Sequence, residues 1–383
     1  MSRQYRPRKD RGASHVGERF EVEVGAVAHG GHCVARVPVA DDPGTSRVVF
    51  VRHALPGERV VLEITEGTDG DRFWRGDAVE VVEASSDRVE APCRFARPGG
   101  CGGCDFQHVA LPVQRSLKAA VIREQLSRLA GLDLDVRVEA VRGDQGGLHW
   151  RTRMQYVHLP DGEIGMRRHR SRSVQVIDQC LLAHPDAREP ERGLLRETVE
   201  PYDFEVAADG FWQVHPGAPR ALVDAVLEAL APQPGERVLD LYAGVGLFAR
   251  FLAARVGEGT RVVAVEGDRD ACVHAKHNLA PHRGGVVQHG AVDQVLATEL
   301  DEPFDLVVLD PPREGAKRVV VEQVVDRAPR AVAYVACDPA AFARDVAIFA
   351  EHGYTLTSLR AFDLFPMTHH VECVGLLERG TTR

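Results

Sequence analysis

The stretch from Arg237 to Ala336 leaves few folds open. Short apolar runs at Arg237 to Leu241, Arg261 to Val265, Leu306 to Leu309 and Val332 to Ala336 alternate with helical patterns at Phe248 to Ala254 and Ala271 to Leu279. Continuous apolar runs suit strands buried on both faces, and strands that alternate with helices imply βαβ units: a parallel sheet with helices on both sides. The expected fold class is α/β, and ligands of open α/β sheets bind at the carboxyl edge of the strands.

Three segments at that edge carry polar chemistry. Asp240-Leu241-Tyr242-Ala243-Gly244-Val245-Gly246 joins the first strand to a helix. Glycine permits the tight turn and the close approach of backbone amides to a ligand, and Gly244 is the residue placed to do so. Glu266 closes Val262-Val263-Ala264-Val265, the position from which an acid binds ribose hydroxyls. A dinucleotide site prefers a third glycine, and Ala249 stands there instead. Asp310 ends the buried run Asp305 to Leu309, and Pro311-Pro312 then stiffens the loop. Cys337, in Ala336-Cys337-Asp338-Pro339, ends another strand at the same edge. Methyl transfer to oxygen or nitrogen needs no thiol, whereas activating carbon 5 of a pyrimidine calls for a nucleophile that adds to the ring. Asp338 disfavours a neighbouring thiolate unless its carboxylate is turned away or hydrogen-bonded. Glu372 is a candidate base, and strand alternation would put the adjacent Cys373 on the opposite face.

With 383 residues the chain is long enough for two or three domains. Residues 1–13 read as a basic disordered tail. Residues 14–83 hold short β-rich runs, Phe20 to Val24, Val48 to Val51, Val60 to Ile64 and Ala78 to Val82, with turns at Gly30-Gly31 and Pro56-Gly57. That spacing predicts a small β-barrel of oligonucleotide-binding (OB-like) size. Residues 84–205 predict a central α+β domain, with a helical stripe from Leu111 to Leu129 and strands near Met154 to His158 and Val174 to Ile177. Residues 206–383 are expected to form the α/β domain described above.

The net charge of -9 argues against a protein coated in positive charge. Two local patches still suit a polyanion: Arg3, Arg6, Arg8, Lys9 and Arg11, and the group Arg151, Arg153, Arg167, Arg168, Arg170 and Arg172. No apolar run approaches the roughly 18 residues of a membrane span, and the N-terminus lacks a signal-peptide apolar segment, so a cytoplasmic location is expected. In a reducing compartment eight cysteines point to metal binding or catalysis rather than disulfides. Cys93, Cys101 and Cys104 cluster among glycines 99, 100, 102 and 103, and Cys180 is a lone later thiol. Four thiolates suit tetrahedral zinc or an iron-sulfur cluster, and spacing does not choose between them.

Residues 14–83 resemble a TRAM domain, an RNA-binding barrel, in the Gly30-Gly31 turn, Val49-Phe50-Val51 and Leu55-Pro56-Gly57-Glu58. Asp240 to Gly246, Asp310-Pro311-Pro312-Arg313-Glu314-Gly315, Cys337-Asp338-Pro339 and Asp363 to Glu372 resemble the successive motifs of the RNA uridine-5-methyltransferases. The resemblance implies a Rossmann-like, S-adenosylmethionine-dependent catalytic domain in which Cys337 adds to carbon 6 of uracil and Glu372 later removes the carbon 5 proton. It implies cofactor contacts from Gln213, in Phe211-Trp212-Gln213-Val214, and from Tyr242, Gly244, Glu266 and Asp310. It also implies a 4Fe-4S cluster on Cys93, Cys101, Cys104 and Cys180, with zinc as the alternative. The target base must leave its stack, and Arg313, His369 and His370 are candidates to hold the RNA. The barrel and cysteines resemble the 23S rRNA branch, so ribosomal RNA is expected ahead of transfer RNA. No protein partner is indicated. A non-catalytic RNA-binding iron-sulfur protein is the rival reading, and intact Cys337 and Glu372 argue against it.

Overall fold

A computed structural model of the chain describes residues 12–38 and 46–380. Of the basic tail expected over residues 1–13, residues 1–11 lie outside the described residues. The chain gathers into two compact units. The first runs to Gln114 and takes in Val157–Asp178 and Met367–His369, and the second holds Arg115–Tyr156, Gln179–Pro366 and the chain from His370. The stretch expected as a central domain, 84–205, is therefore shared between the units.

In the first unit a six-stranded sheet runs in the order Arg19–Glu23, Arg59–Glu66, Phe73–Glu83, Ser46–Arg52, His32–Pro38, Val27–Ala28. It curls closed because one length of chain pairs at both edges. Arg19–Glu23 pairs with Arg59–Glu66, and Gly25 and Val27–Ala28 just beyond it bond to the strand that starts at His32. Alternate residues fill the interior: Val37, Val49, Val51, Val60, Leu62, Ile64 and Trp74 are all at most 2% exposed, the period-two pattern of a strand with one dry face. The strand His32–Pro38 carries no distinct signal in the sequence because Arg36 interrupts its apolar run. Glu58 is fully buried and accepts bonds from Leu55 N at 2.8 Å, Ser85 N at 3.1 Å and Arg88 Nε at 2.6 Å, which fixes the Pro56-Gly57 turn.

The second unit is built on an eight-stranded sheet in the order Gly285–His289, Val262–Glu266, Val238–Leu241, Leu306–Leu309, Ala331–Ala336, Glu372–Arg379, Tyr354–Asp363, Val138–Ala140. The first five strands are parallel, as expected. Glu372–Arg379 then enters antiparallel between its neighbours, and Val138–Ala140, far upstream in sequence, adds at the outer edge. Side chains sort by parity. Val238, Val262, Ala264, Leu306 and Val308 enter one core, under the helices Ala218–Leu230 and Leu247–Val256. Leu239, Leu241, Val263, Val265, Val307 and Leu309 enter the other, with Val320 and Val321 of Lys317–Asp326 and Phe342 and Val346 of Pro339–Glu351. Burial on both faces is why these strands read as unbroken apolar runs. Among the described residues no helix is long and apolar enough to cross a membrane.

Candidate active site

The first strand ends in a loop that only a permissive backbone can follow. Tyr242 (φ 62°), Gly244 (φ 54°) and Gly246 (φ 84°) all lie in the left-handed region, which glycine enters at little cost and tyrosine does not. Hydrogen bonds hold the curl: Gly244 N donates to Glu266 Oε2 at 2.8 Å, Asp268 N to Glu266 Oε1 at 2.7 Å, and Ala249 N to Asp240 Oδ2 at 2.8 Å. Glu266 thus ties the glycine turn to the next strand and keeps lone pairs on both oxygens for a ligand. Asp240 is fully buried, and its Oδ1 has no partner among the described residues. Burial, with the charges of Asp310 and Glu266, pushes its carboxyl up to about 8. A strained turn beside an orphaned buried acceptor is suited to a polar cofactor. Burial raises the Tyr242 phenol to about 12. Asp310 N donates to Leu241 O at 3.3 Å, which seats Asp310 beside this loop. Gln213 lies in an irregular segment ahead of the helix Ala218–Leu230, and no hydrogen bond among the described residues ties its side chain to the others.

Cys337 and Glu372 meet through strand register. Ala331–Ala336 runs antiparallel to Glu372–Arg379, with Ala336 opposite Cys373. The ladder ends at that pair, Cys337 follows Ala336 as Glu372 precedes Cys373, and the charge of Glu372 acts on the Cys337 thiol. Cys373 shares a face with Ala336 and is fully buried. Burial pushes the Cys337 thiol up to about 12, with Glu372 and Asp310 adding to the rise and Arg313 opposing it. Glu372 is itself buried and its carboxyl raised, by burial first and then by Asp310, again against Arg313. Asp338 caps the helix Pro339–Glu351 through Oδ1, which accepts from Ala341 N at 2.8 Å. The helix start holds the Asp338 carboxylate beside the thiol, and its charge adds to the rise of the Cys337 thiol.

Family models place this geometry among known proteins. A TRAM domain model matches residues 13–79, a methyltransferase small domain model residues 221–334, and a tRNA (Uracil-5-)-methyltransferase model residues 295–380. An uncharacterized RNA methyltransferase of Streptomyces avermitilis is 44% identical over 95% of this chain and 99% of its own length. The chain belongs to the RNA uracil-5-methyltransferase family. As a member of that family it is an S-adenosylmethionine-dependent RNA methyltransferase. The 23S rRNA (uracil(1939)-C(5))-methyltransferase RlmD of Methylococcus capsulatus is 30% identical over 94% of this chain and 97% of its own. The Pyrococcus abyssi tRNA (uracil-54, C5)-methyltransferase, solved with S-adenosyl-L-homocysteine, shares the fold: TM-score 0.68 at 20% identity, over 94% of this chain and all of that one.

Two buried networks in this methyltransferase hold the segments around Asp310, Cys337 and Glu372, and neither was evident in the sequence. Asp345 Oδ2 accepts from Tyr334 Oη at 2.5 Å, Ala316 N at 2.7 Å and Lys317 N at 3.2 Å. That one oxygen joins the loop after Asp310, the strand before Cys337 and the helix after it. Lys118 Nζ donates to Asp363 Oδ1 at 2.5 Å and to Phe365 O at 3.1 Å, with both side chains at most 1% exposed. This pair anchors the start of the segment that ends in Glu372. Removing one member of a buried pair strands the other charge, so Lys118→Met is expected to cost roughly 3–5 kcal/mol in denaturant unfolding. Lys118→Met combined with Asp363→Leu should recover most of that loss.

His370 Nε2 lies 3.4 Å from Arg313 Nη2 and its ring packs edge-on against Phe365, so both candidate RNA contacts border the loop leading to Glu372. His369, by contrast, belongs to the first unit, where its Nδ1 meets Asp105 Oδ2 at 2.6 Å.

Cys93, Cys101 and Cys104 lie in the first unit and Cys180 in the second. Two of the sulfurs accept hydrogen bonds, Cys101 Sγ from Gly103 N at 3.4 Å and Cys104 Sγ from Gln107 Nε2 at 3.3 Å. Among the described residues no group of three or more Cys, His, Asp or Glu side chains is gathered to hold a metal ion. The iron-sulfur and zinc expectations therefore receive no support from the geometry.

Proposed function

We propose that this chain methylates carbon 5 of a uridine in 23S ribosomal RNA through a covalent adduct on Cys337. The reading is supported by the strand pair that ends at Ala336 and Cys373, which brings Glu372 close enough for its charge to act on the Cys337 thiol. Bound S-adenosylmethionine supplies an electrophilic methyl group, with Tyr242, Gly244, Glu266, Asp310 and Gln213 as the residues that hold it. Cys337 Sγ adds to carbon 6 of the flipped base, and the electron pair of the ring double bond moves toward carbon 5 and oxygen 4. Carbon 5 takes the methyl group as the sulfonium bond breaks. Glu372 then removes the carbon 5 proton, the double bond re-forms and the carbon–sulfur bond to Cys337 breaks.

The choice of ribosomal RNA is supported by full-length identity to RlmD. The barrel does not separate the branches as the sequence suggested, because the fold of the Pyrococcus abyssi tRNA enzyme spans nearly all of this chain. Mass-spectrometric mapping of RNA from a strain lacking the protein tests the choice: loss of a 5-methyluridine from 23S rRNA supports it, and loss from transfer RNA alone overturns it. Spacing and family resemblance keep Cys93, Cys101, Cys104 and Cys180 as proposed ligands of a cluster. Anaerobic purification followed by metal analysis decides, with about four irons per chain expected and one zinc without iron rejecting it.

The rate should depend on pH with a definite sign. A thiol pushed up to about 12 is mostly protonated near neutrality, so its thiolate fraction grows about tenfold per pH unit. The raised Glu372 gains its base form in the same direction. Single-turnover methylation is therefore expected to climb from pH 6 to 9, by roughly tenfold per unit while addition limits the rate. Stability should move the other way. Asp240 keeps its proton in the folded chain until about 8, so the unfolded chain binds fewer protons above the ordinary carboxyl range. Thermal stability of the cofactor-free chain then falls as pH rises through that window.

A further inference from the structure

Four exposed arginines crowd the tip of the hairpin formed by strands Ile164–Arg167 and Val174–Ile177: Arg167, Arg168, Arg170 and Arg172. Among the described residues their one ion pair is that of Arg170 with Glu66, Nε to Oε2 at 3.5 Å. The acids of the same segment, Asp161 and Glu163, lie in the turn at the far end of Ile164–Arg167, where Glu163 N donates to Asp161 Oδ1 at 3.2 Å. Charge is therefore sorted along the hairpin, with a strand of roughly 13 Å between the two signs.

Like charges repel, and a loose turn relieves the repulsion by letting them part. This turn is held instead. Arg168 N donates to Ser173 O at 3.1 Å, Ser171 N to Arg168 O at 3.2 Å and Arg167 Nη1 to Arg172 O at 2.9 Å, and Arg170 takes a left-handed backbone, φ 49°. The loop that carries Cys101 and Cys104 buttresses it: Gly102 N donates to Arg167 O at 3.0 Å, and a Cβ on Gly102 would lie 2.7 Å from His169 Cα. Cations fixed at close range cost the free protein stability and suit a polyanion that needs no further ordering of them.

The neighbouring surface of the barrel is aromatic. Phe73 and Arg75 leave strand Phe73–Glu83 on the face opposite the buried Trp74. Phe73 is 38% exposed, Arg75 Cζ lies over its ring 4.9 Å from the centroid, and Phe50 meets it edge-on at 5.1 Å. Glu66 joins the two patches, with Oε1 3.2 Å from Arg75 Nη1 and Oε2 on Arg170. Hairpin, Glu66 and barrel face all belong to the first unit. A ring open to solvent beside a row of arginines supplies what an unpaired nucleic-acid strand needs: cations for its phosphates and a π-face for a base. A duplex offers the same phosphates and keeps its bases stacked.

We propose that this surface binds a single-stranded stretch of the substrate RNA, with the arginine turn on its phosphates and Phe73 stacked on a base, and that Glu66 competes with a phosphate for Arg75 and Arg170. The proposal rests on an RNA substrate, and not on the choice of 23S rRNA or on the Cys337 adduct. The test is therefore binding of the full-length chain to a labelled oligouridylate of roughly 12 nucleotides across a salt titration. Arg168→Gln and Arg172→Gln remove side chains that make no ion pair among the described residues. Each is expected to lower the slope of log affinity against log salt by about 0.7, the share of one single-strand phosphate. Phe73→Ala should weaken binding about tenfold with the slope unchanged, because stacking on a base releases no counterion. Glu66→Gln should tighten binding and steepen the slope. Inorganic polyphosphate and an RNA duplex of the same length, which offer charge and no free base, should respond to the arginine variants and not to Phe73→Ala. An unaltered slope in the Arg168→Gln, Arg172→Gln double variant overturns the phosphate contacts. Unaltered oligouridylate affinity in Phe73→Ala, or an equal loss of duplex binding, overturns the stacking. Should Phe73→Ala fail to fold, Phe73→Leu keeps the apolar bulk without the ring, and the same loss is expected of it.

Discussion

Cys337→Ala is expected to abolish methylation, lowering kcat by roughly 10⁴–10⁶-fold, the scale of losing a covalent nucleophile. The substitution removes only a sulfur at the end of a strand. It leaves the bonds from Gly244 N and Asp268 N to Glu266 and from Ala249 N to Asp240 in place. S-adenosylmethionine should therefore bind with unchanged affinity, which calorimetry checks while tritiated methyl transfer reports the rate. A parallel loss of cofactor binding would mean that the loop had collapsed. Residual turnover within tenfold of wild type would remove Cys337 from the mechanism.

Glu372→Gln should fail at a different step. The amide is close in size and cannot take a proton, so addition and methyl transfer proceed while elimination stalls. Turnover is expected to fall by roughly 10²–10⁴-fold, the usual contribution of a positioned base. Unlike the cysteine variant, this one should accumulate a protein–RNA adduct with ordinary uridine RNA and S-adenosylmethionine, visible as a shifted band on denaturing gels. The glutamate sits 5% exposed, and burial and the Asp310 charge already favour its neutral form, which the amide reproduces. The variant should consequently unfold at no lower temperature than wild type. A variant with the same low turnover and no adduct would move Glu372 from proton removal to an earlier step.

How much of this was legible depended on whether the signal was local. The parallel strands declared themselves because burial on both faces makes Val262 to Val265 and Leu306 to Leu309 continuous apolar runs. Glu266, Asp310 and Cys337 stand out as candidates because each closes such a strand, and Gly244 because it lies in the turn after one. What was missed is long-range. Lys118 pairs with Asp363 across 245 residues, and on a helix that also buries Gln114 and Gln125 a lysine reads as solvent-facing. Tyr334 and Asp345 look like an ordinary strand tyrosine and helix aspartate until the fold brings the Ala316 amide between them. Val138–Ala140 is too short for any period to show, and its membership of the catalytic sheet comes only from its pairing with Tyr354–Asp363. The doubt over Asp338 was visible in the sequence and persists in the fold: Oδ1 accepts from Ala341 N, and the carboxylate still raises the neighbouring thiol.

The most direct measurement is intact-mass analysis of the wild-type chain after incubation with 5-fluorouridine-substituted 23S rRNA transcript and S-adenosylmethionine, followed by nuclease digestion and peptide mapping. Fluorine at carbon 5 leaves no proton for Glu372 to remove, so the adduct cannot be released. The expected result is one stable methylated fluorouridine adduct per chain, on the peptide that contains Cys337, and absent in Cys337→Ala. An adduct on Cys373, or methylation of the RNA with no covalent species at any time, would contradict the assignment.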